Sequence, residues 1–304
     1  MDNSVIIGLG TFDGVHIAHQ VLIRRVLEIS RETGLPGCVY LFRNHPLAVL
    51  TGRHPGLLTT AEEKVALLER LGMRRIVWED FTPEFARQTP EEFADRLAHQ
   101  LRARHVVAGF NYSFARGGQG DCTLLGRLCA QRGMGLHVIP PVKIGDTVVS
   151  STAVREALTS GAVERANDML GYEYTLPGRI VDGHKIGREM GFPTANLTLT
   201  AEKVLPPDGV YLTRLTLEGT EHNAVTNIGV RPTFGARERS VETFIPGFAG
   251  DLYGTAGSLA LVKRLRPEMK FDGAEALRAQ IAQDVMIATQ YFAHEKRRRP
   301  SYSR

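Results

Sequence analysis

One stretch of the chain combines glycines, basic side chains and side-chain oxygens at spacings that suit phosphate chemistry. It is the run Gly187-Arg188-Glu189-Met190-Gly191-Phe192-Pro193-Thr194-Ala195-Asn196. Glycines let a backbone approach a ligand closely, and their bare N–H groups can hold phosphate oxygens. Thr194 and Asn196 share a face if this segment is extended, so their oxygens form a candidate hard-cation site completed by nucleotide phosphates. The alternative is a plain glycine-rich turn between two strands. The candidate phosphate-binding residues here are Gly183, Lys185, Gly187 and Arg188.

A second candidate site lies near the beginning of the sequence. A short apolar strand at 5–7 is followed by Gly10-Thr11-Phe12-Asp13-Gly14-Val15-His16-Ile17-Ala18-His19 and by helical apolar spacing over 20–29. Free N–H groups and the helix dipole favour an anion at such a helix start. His16 and His19 lie three apart, and their imidazoles could stabilise charge on the α-phosphate of a nucleotide. Two alternatives remain, a polar cluster at a helix start and a zinc pair that lacks an obvious third ligand. The candidate phosphate-binding residues of this turn are Gly10, Phe12, Asp13 and Gly14.

Two further segments of the first half carry polar or aromatic candidates. The loop at 110–121 is rich in glycine and aromatic residues, which suits a flat ring and a phosphate, although a long surface loop fits equally well. In the run 150–155, the hydroxyls of Ser151 and Thr152 precede Arg155 by about one helical turn. Hydroxyls at a helix start beside an arginine make an anion site, and either hydroxyl would also serve as a simple N-cap.

The bulk composition is that of a globular protein with two domains. The sequence has 304 residues, 43% of them hydrophobic and 23% charged, with a formal net charge of +4. Its three cysteines form no CxxC pair, which favours a reducing compartment. We find no signal-peptide pattern and no apolar run near the ~18 residues of a membrane helix, so we expect a cytoplasmic protein without a membrane partner. The basic run at 296–299 is more typical of a solvated helix end than of a nucleic-acid contact.

The order of the elements predicts an α/β domain followed by a β domain. Up to residue 171, strands alternate with helices and the first strand leads into a glycine-rich turn, which predicts a doubly wound, Rossmann-like domain over 1–171. From residue 172, short strands at 178–182, 209–217, 223–227, 241–245 and 258–265 predict a small antiparallel β-barrel over 172–304. An apolar stripe predicts a closing helix. Its members are Leu277, Ile281, Val285 and Ala288.

Three motifs in the second half resemble riboflavin kinases. They are G-R-x-x-G-F-P-T-A-N-L, the run N-I-G-x-x-P-T-F at 227–234, and L-R-x-E-x-K-F at 265–271. The resemblance implies that Thr194 and Asn196 hold the Mg²⁺ of a nucleotide and that Glu242 is the catalytic base. The 5′-hydroxyl of riboflavin must lose a proton as it attacks the γ-phosphorus of ATP, and a carboxylate can take that proton. The resemblance also implies that Arg266 contacts the flavin.

The first half resembles the nucleotidyltransferases of the bacterial FAD synthetases. The matching motifs are G-x-F-D-G-V-H-x-G-H at 10–19, N-F-x-F-G followed by G-D at 111–121, and S-S-T-x-I-R at 150–155. They imply that His16, His19 and Arg155 stabilise charge, that Ser151 and Thr152 bind ATP, and that Asn111 and Phe114 lie near the flavin. Three residues depart from the family pattern: Ala18, Asn44 and Ala115.

Together these resemblances imply a bifunctional riboflavin kinase and FMN adenylyltransferase, with a nucleotidyltransferase-like first domain and a riboflavin kinase barrel. Its substrates would be riboflavin, FMN and ATP, with Mg²⁺ as cofactor and FAD as final product. Because Ala18, Asn44 and Ala115 all lie in the first half, one alternative is a riboflavin kinase whose adenylyltransferase half is weak or inactive. The segment 243–248 after Glu242 also departs from the family pattern, since it lacks the usual His, so the kinase substrate could instead be a flavin analogue. A non-catalytic flavin-binding protein is another alternative. The sequence leaves open whether the chain forms a homo-oligomer.

Overall fold

The computed structural model describes residues 3–181, 192, 194–199, 203–233, 236–248, 250 and 252–298. The chain folds into two compact units. The first contains Met1–Val154 and Met169–Gly171, and the second contains Arg155–Asp168 and Tyr172–Arg304. The domain boundary expected between residues 171 and 172 stays a prediction.

The first unit is built on a five-stranded parallel sheet. The strand order is β3-β2-β1-β4-β5, and each neighbouring pair is parallel. Because β1 lies between β2 and β4, the strand order reverses beside β1, and ligands bind at the carboxyl ends of strands at such a reversal. The predicted doubly wound fold is confirmed. The strands are β1 Val5–Leu9, β2 Gly37–Phe42, β3 Ile76–Glu79, β4 Ala103–Gly109 and β5 Gly135–Ile139.

Helices cover both faces of this sheet. Alternate side chains of β1 enter two different apolar clusters: Ile7 packs with α5 and α6, whereas Ile6 packs with α1 and α3. A small hairpin, β6 Lys143–Ile144 and β7 Thr147–Val148, follows the sheet. The helices of the first unit are α1 Ile17–Thr33, α2 Pro46–Thr51, α3 Ala61–Arg70, α4 Pro83–Ala86, α5 Pro90–Asp95 and α6 Cys122–Gln131. Two more helices follow, α7 Ser151–Thr159 and α8 Val163–Leu170, and their residues from Arg155 to Asp168 belong to the second unit.

Of two helix starts with sequence patterns for N-caps, one is capped as expected and one is not. In the sequence, Thr60 is followed three residues later by Glu63, a pattern that predicts a capping box. The box is present, with the Thr60 hydroxyl accepting from the Glu63 N–H and the Glu63 carboxylate accepting from the Thr60 N–H. At α7 the expected cap is wrong by one residue. The hydroxyl of Ser150 accepts from the Ala153 N–H at 3.2 Å, whereas the Ser151 hydroxyl is used elsewhere.

The second unit contains a closed six-stranded barrel in the order β10-β11-β12-β9-β8-β13. All six pairings are antiparallel, which confirms the predicted barrel. Some strands are longer than expected, because pairing with their neighbours continues beyond the apolar runs. The strands are β8 Tyr174–Val181, β9 Thr194–Leu199, β10 Gly209–Leu217, β11 Thr220–Thr233, β12 Ala236–Phe244 and β13 Ala256–Pro267.

The final helix, α9 Ala274–Arg298, packs against the barrel as predicted. Ala288 and Phe292 are buried against Val210, Leu212 and Val225 of the barrel. A buried arginine on β10 reinforces this contact. Arg214 pairs with Glu173 and with Glu295 of α9.

Candidate functional sites

A cavity of about 460 Å³ opens where the strands of the parallel sheet end. The last residues of four strands line it, namely Leu9, Phe42, Gly109 and Ile139. This is the position at which open α/β sheets bind their ligands, and the volume is in the usual range for a ligand pocket. The structure brings together many of the predicted residues here. They are Gly10, His16, His19, Asn111, Phe114, Ser151 and Thr152.

The turn between β1 and α1 is a strained loop with a buried scaffold. Phe12 and Val15 have positive φ values of 49° and 36°, which residues other than glycine rarely adopt. The buried carboxylate of Asp13 accepts from the N–H of Thr59 at 3.1 Å and from its hydroxyl at 3.2 Å. Gly14 has φ of 80°, and a Cβ there would lie 2.9 Å from Leu58. Phe12, Asp13 and Gly14 therefore shape the loop from within, and none of them is among the residues that line the cavity.

His16 and His19 stand together at the start of α1. His16 is the N-cap residue, and its Nδ1 accepts from the His19 N–H at 3.3 Å. The two rings are stacked with centroids 3.6 Å apart. Burial lowers the pKa of His16 from 6.5 to about 4, opposed in part by the Asp13 carboxylate. Burial, and then the charges of His16 and Lys64, hold the pKa of His19 well below its usual value. Both imidazoles are therefore neutral at pH 7 and can donate an N–H to a ligand.

One ring nitrogen of His19 is left without a hydrogen bond. Its Nδ1 is buried and has no hydrogen-bond partner within the part of the chain that the structure describes. Buried polar atoms are normally hydrogen-bonded, so this atom indicates a missing partner. Among the same residues no group of three or more His, Cys, Asp or Glu side chains could hold a metal ion. The zinc alternative for the two histidines therefore finds no third ligand there.

The start of α7 is tied to the loop after β1. The Ser151 hydroxyl donates to the main-chain carbonyl of Asp13 at 2.8 Å, and Thr152 lines the cavity. Arg155 lies one turn further along α7 and is not among the lining residues. Sequence reasoning missed one cation at the same loop. The Lys64 ammonium donates to the Thr11 carbonyl at 3.0 Å, and only its place in the first turn of α3 could have hinted at this.

Part of the cavity lining is aromatic. Phe42 meets Phe81 and Phe85 edge to face with ring centroids 5.0 and 5.3 Å apart, and Phe114 packs against Phe93 at 5.1 Å. Such side chains suit a flat, largely apolar ring. Asn111 is an exposed lining residue. The cavity lining thus combines neutral imidazoles and hydroxyls with aromatic rings.

The structure shows the surroundings of the three residues of the first half that depart from the family pattern. Ala18 is the second residue of α1 and lines the cavity, so its methyl takes space there without backbone strain. The Asn44 carboxamide accepts from the Phe81 N–H and donates to the Phe81 carbonyl, both at 2.9 Å. Ala115, also on the cavity wall, has φ of 64° and ψ of −177°, a conformation that strongly favours glycine.

The barrel carries a second group of candidates on three neighbouring strands. Asn196 of β9 lies directly opposite Glu242 of β12, and Glu242 lies directly opposite Asn227 of β11. Directly opposed residues share a face of the sheet, so these three side chains form one polar row. Thr194, two residues before Asn196, shares that face. Sequence reasoning quoted Asn227 only as part of a motif and missed its place beside Glu242.

Arg266 is fixed by the closing helix. Its guanidinium forms a fork with the buried carboxylate of Asp284, with Nη2 to Oδ2 at 2.8 Å. The pair holds α9 against the end of β13. The other predicted residues of this half, Gly183, Lys185, Gly187 and Arg188, lie outside the described residues.

Comparisons with known proteins agree across both halves. The family model for FAD synthetase matches residues 1–153, and the model for riboflavin kinase matches residues 170–292. Proteins described as bifunctional riboflavin kinase/FMN adenylyltransferase are similar over nearly the full length. The one from Listeria monocytogenes is 34% identical, covering 96% of this chain and 94% of its own. The one from Bacillus subtilis is 36% identical, covering 95% and 93%.

A solved structure has the same overall fold. It is described as a macrolide-efflux protein from Streptococcus pneumoniae, superposes with a TM-score of 0.89, is 30% identical, and covers 95% of each chain. In the described part of this chain no helix is long and apolar enough to cross a membrane. Both matched family models and the full-length relatives lead to one conclusion. The chain belongs to the bifunctional riboflavin kinase/FMN adenylyltransferase family, which produces FMN and FAD.

Proposed function

We propose that each activity uses the residues of one unit, with the adenylyl transfer in the cavity of the first unit. The observation that supports this most directly is the stacked, neutral pair His16 and His19, which lines one cavity together with aromatic side chains. A phosphate oxygen of FMN attacks the α-phosphorus of ATP, and pyrophosphate leaves. Imidazole N–H groups that are already desolvated donate to the oxygens on which charge develops, and they need no reorganisation during the reaction.

The remaining predicted residues of this unit fall into two roles. Thr152 and Asn111, which line the cavity, contact the nucleotide and the flavin respectively. Asp13 and Ser151 act at one remove, because they hold the strained loop that carries His16. Arg155 belongs to the second unit, and its role in stabilising phosphate charge stays a prediction from the family resemblance.

For the kinase reaction we propose that Glu242 accepts the proton of the riboflavin 5′-hydroxyl as its oxygen attacks the γ-phosphorus, with ADP leaving. The position of Asn196 directly opposite Glu242 supports this, since it would place a metal-binding residue next to the base. The oxygen donors of Thr194 and Asn196 suit Mg²⁺, which they would hold. When bound, Mg²⁺ would neutralise charge on the transferred phosphoryl group. Gly187 and Arg188 would contact the phosphates, and Arg266 would contact the flavin from the end of β13.

The experiment that tests the proposal is product chromatography. Purified protein is incubated with ATP, Mg²⁺ and either riboflavin or FMN. FAD from both substrates supports two working sites, and FMN alone supports the alternative of a kinase with a silent first unit. If neither FMN nor FAD forms, the result favours the flavin-binding alternative and overturns the proposal.

We also propose a cytoplasmic location without nucleic-acid or membrane partners. The thiols of Cys38, Cys122 and Cys129 are free, which fits a reducing compartment. A homo-oligomer stays an open prediction, and light scattering of the purified chain decides it.

A further inference from the structure

One residue that lines the first-unit cavity carries a buried polar atom without a hydrogen-bond partner among the described residues. The Oε1 of Gln88 is buried, and within the described ranges of the chain it has no hydrogen-bond partner. An unsatisfied buried acceptor is costly, so native proteins rarely keep one without a function. Gln88 lines the cavity together with Phe81 and Phe85.

Two main-chain hydrogen bonds fix the backbone of Gln88. The Gln88 N–H donates to the Phe85 carbonyl at 3.2 Å, and its carbonyl accepts from the Arg116 N–H at 2.9 Å. The next residue, Thr89, is the N-cap of α5. The main chain from which the carboxamide extends is thus fixed by helix α4 on one side and by the loop that carries Arg116 on the other, which reduces the cost of ordering Gln88 for recognition.

The isoalloxazine ring of FMN offers the matching chemistry. Its pyrimidine edge presents one N–H between two carbonyl oxygens, and the rest of the ring is flat and apolar. A carboxamide can accept from that N–H and donate to a neighbouring carbonyl, while aromatic side chains cover the apolar faces. Adenine has no N–H between two carbonyls.

We propose that Gln88 is a specificity-determining residue that reads the imide edge of the flavin ring in the adenylyltransferase site. This rests on the proposed function in one respect, that FMN binds in this cavity. Gln88 then favours flavins with a free imide N–H over analogues that lack it.

The test uses FMN and 3-methyl-FMN, whose imide proton is replaced by a methyl group. Wild-type protein should show at least a 10-fold lower kcat/KM for 3-methyl-FMN than for FMN. Gln88→Leu should raise the KM for FMN by about 10- to 100-fold, leave the KM for ATP within about 2-fold, and bring the two flavins close to equal. Gln131→Leu, at the exposed end of α6, is the matched control and should behave as wild type.

Several outcomes would overturn the proposal. Equal use of FMN and 3-methyl-FMN by wild-type protein does so without any variant, even if Gln88→Leu fails to fold. Discrimination that persists in folded Gln88→Leu, or a change in the KM for ATP instead of FMN, does so as well. The last result would indicate adenine at this wall. Arg96, whose buried Nε also lacks a partner among the described residues, borders Gln88 in a neighbouring groove. An internal Gln88–Arg96 contact would leave both flavins equal.

Failure of the proposed function looks different from failure of this inference. If wild-type protein makes no FAD from FMN, the adenylyltransferase site itself is wrong. If it makes FAD but uses FMN and 3-methyl-FMN equally well, only the proposed role of Gln88 is wrong.

Discussion

Ala115 occupies a backbone conformation that nearly all proteins reserve for glycine. With φ of 64° and ψ of −177°, its Cβ costs about 1–3 kcal/mol. Ala115→Gly removes that strain but adds freedom to the unfolded chain, worth about 0.4–1 kcal/mol in the opposite direction. We expect the variant to be more stable by about 0.5–2 kcal/mol, measured as the free energy of unfolding in urea.

The control for this prediction is an alanine in ordinary helical conformation. Ala130 is exposed in α6, and its replacement by glycine should lower the free energy of unfolding by about 1 kcal/mol. Opposite signs at the two positions are the expected result. If Ala115→Gly is as destabilising as Ala130→Gly, residue 115 is not strained in solution.

His16 makes the stability of the protein depend on pH. Its pKa is lowered by burial from 6.5 to about 4, so between these values the unfolded chain binds a proton that the folded chain does not. The contribution of the neutral imidazole is complete above pH 6.5 and is lost as the pH falls to about 4. The shift corresponds to about 3 kcal/mol. We expect stability to fall over this window more steeply in wild-type protein than in His16→Asn.

The His16→Asn variant isolates this effect because asparagine is also a good N-cap and can accept from the His19 N–H. Carboxylates that titrate in the same window affect both proteins alike. The measurement is the urea midpoint at half-unit steps from pH 4 to pH 7. Parallel curves for the two proteins would mean that His16 titrates normally in the folded state.

At the scale of elements, Asn44 fastens the end of β2 to the chain just beyond β3. Its carboxamide makes one bond in each direction with the Phe81 backbone, and Phe81 is part of the aromatic cavity wall. An aspartate keeps the acceptor but sets a charged oxygen against the Phe81 carbonyl. Because Asn44 is exposed, we expect Asn44→Asp to cost about 0.5–1.5 kcal/mol of stability and to raise the KM for FMN several-fold more than the KM for ATP.

Asn3→Asp supplies the charge control, because Asn3 is exposed. It should change neither stability nor either KM. An Asn44→Asp variant with unaltered unfolding and unaltered FMN kinetics would show that the Phe81 clamp contributes nothing to the wall.

The elements also show which parts of this architecture a sequence can reveal. Capping boxes at Thr60 and Thr89 are readable because both partners lie within one helical turn. The stacked histidines are readable for the same reason. The Asn44–Phe81 clamp and the Gln88–Arg116 bond join segments 37 and 28 residues apart, according to their numbers. Such contacts depend on how strands and loops are assembled, and no local pattern encodes them.

The start of α7 shows how close two local readings can be. Three adjacent hydroxyl residues, 150–152, are all chemically able to cap the helix. The structure uses Ser150 for the cap and sends the Ser151 hydroxyl to the Asp13 carbonyl across the sheet edge. The choice is made by tertiary contact, and it is this contact that links the helix to the loop carrying His16.

At the scale of the whole molecule, two units with separate apolar clusters each carry one candidate site. The cavity residues belong to the first unit, and the polar row of Asn196, Glu242 and Asn227 belongs to the barrel. In the proposed assignment, the two reactions share ATP and FMN but no residue. Damage to one site should therefore leave the chemistry of the other intact.

Glu242→Gln tests that separation together with the role of the carboxylate. Glutamine keeps the size of the side chain and removes its basicity, so FMN formation from riboflavin should fall about 100- to 10,000-fold. Riboflavin affinity, followed by the quenching of flavin fluorescence, and FAD formation from added FMN should both stay near wild type. Glu218→Gln, at the exposed turn between β10 and β11, is the control and should leave all three unchanged. Equal loss of riboflavin binding and FMN formation would make Glu242 a binding residue, and loss of FAD formation as well would mean that the two sites depend on each other.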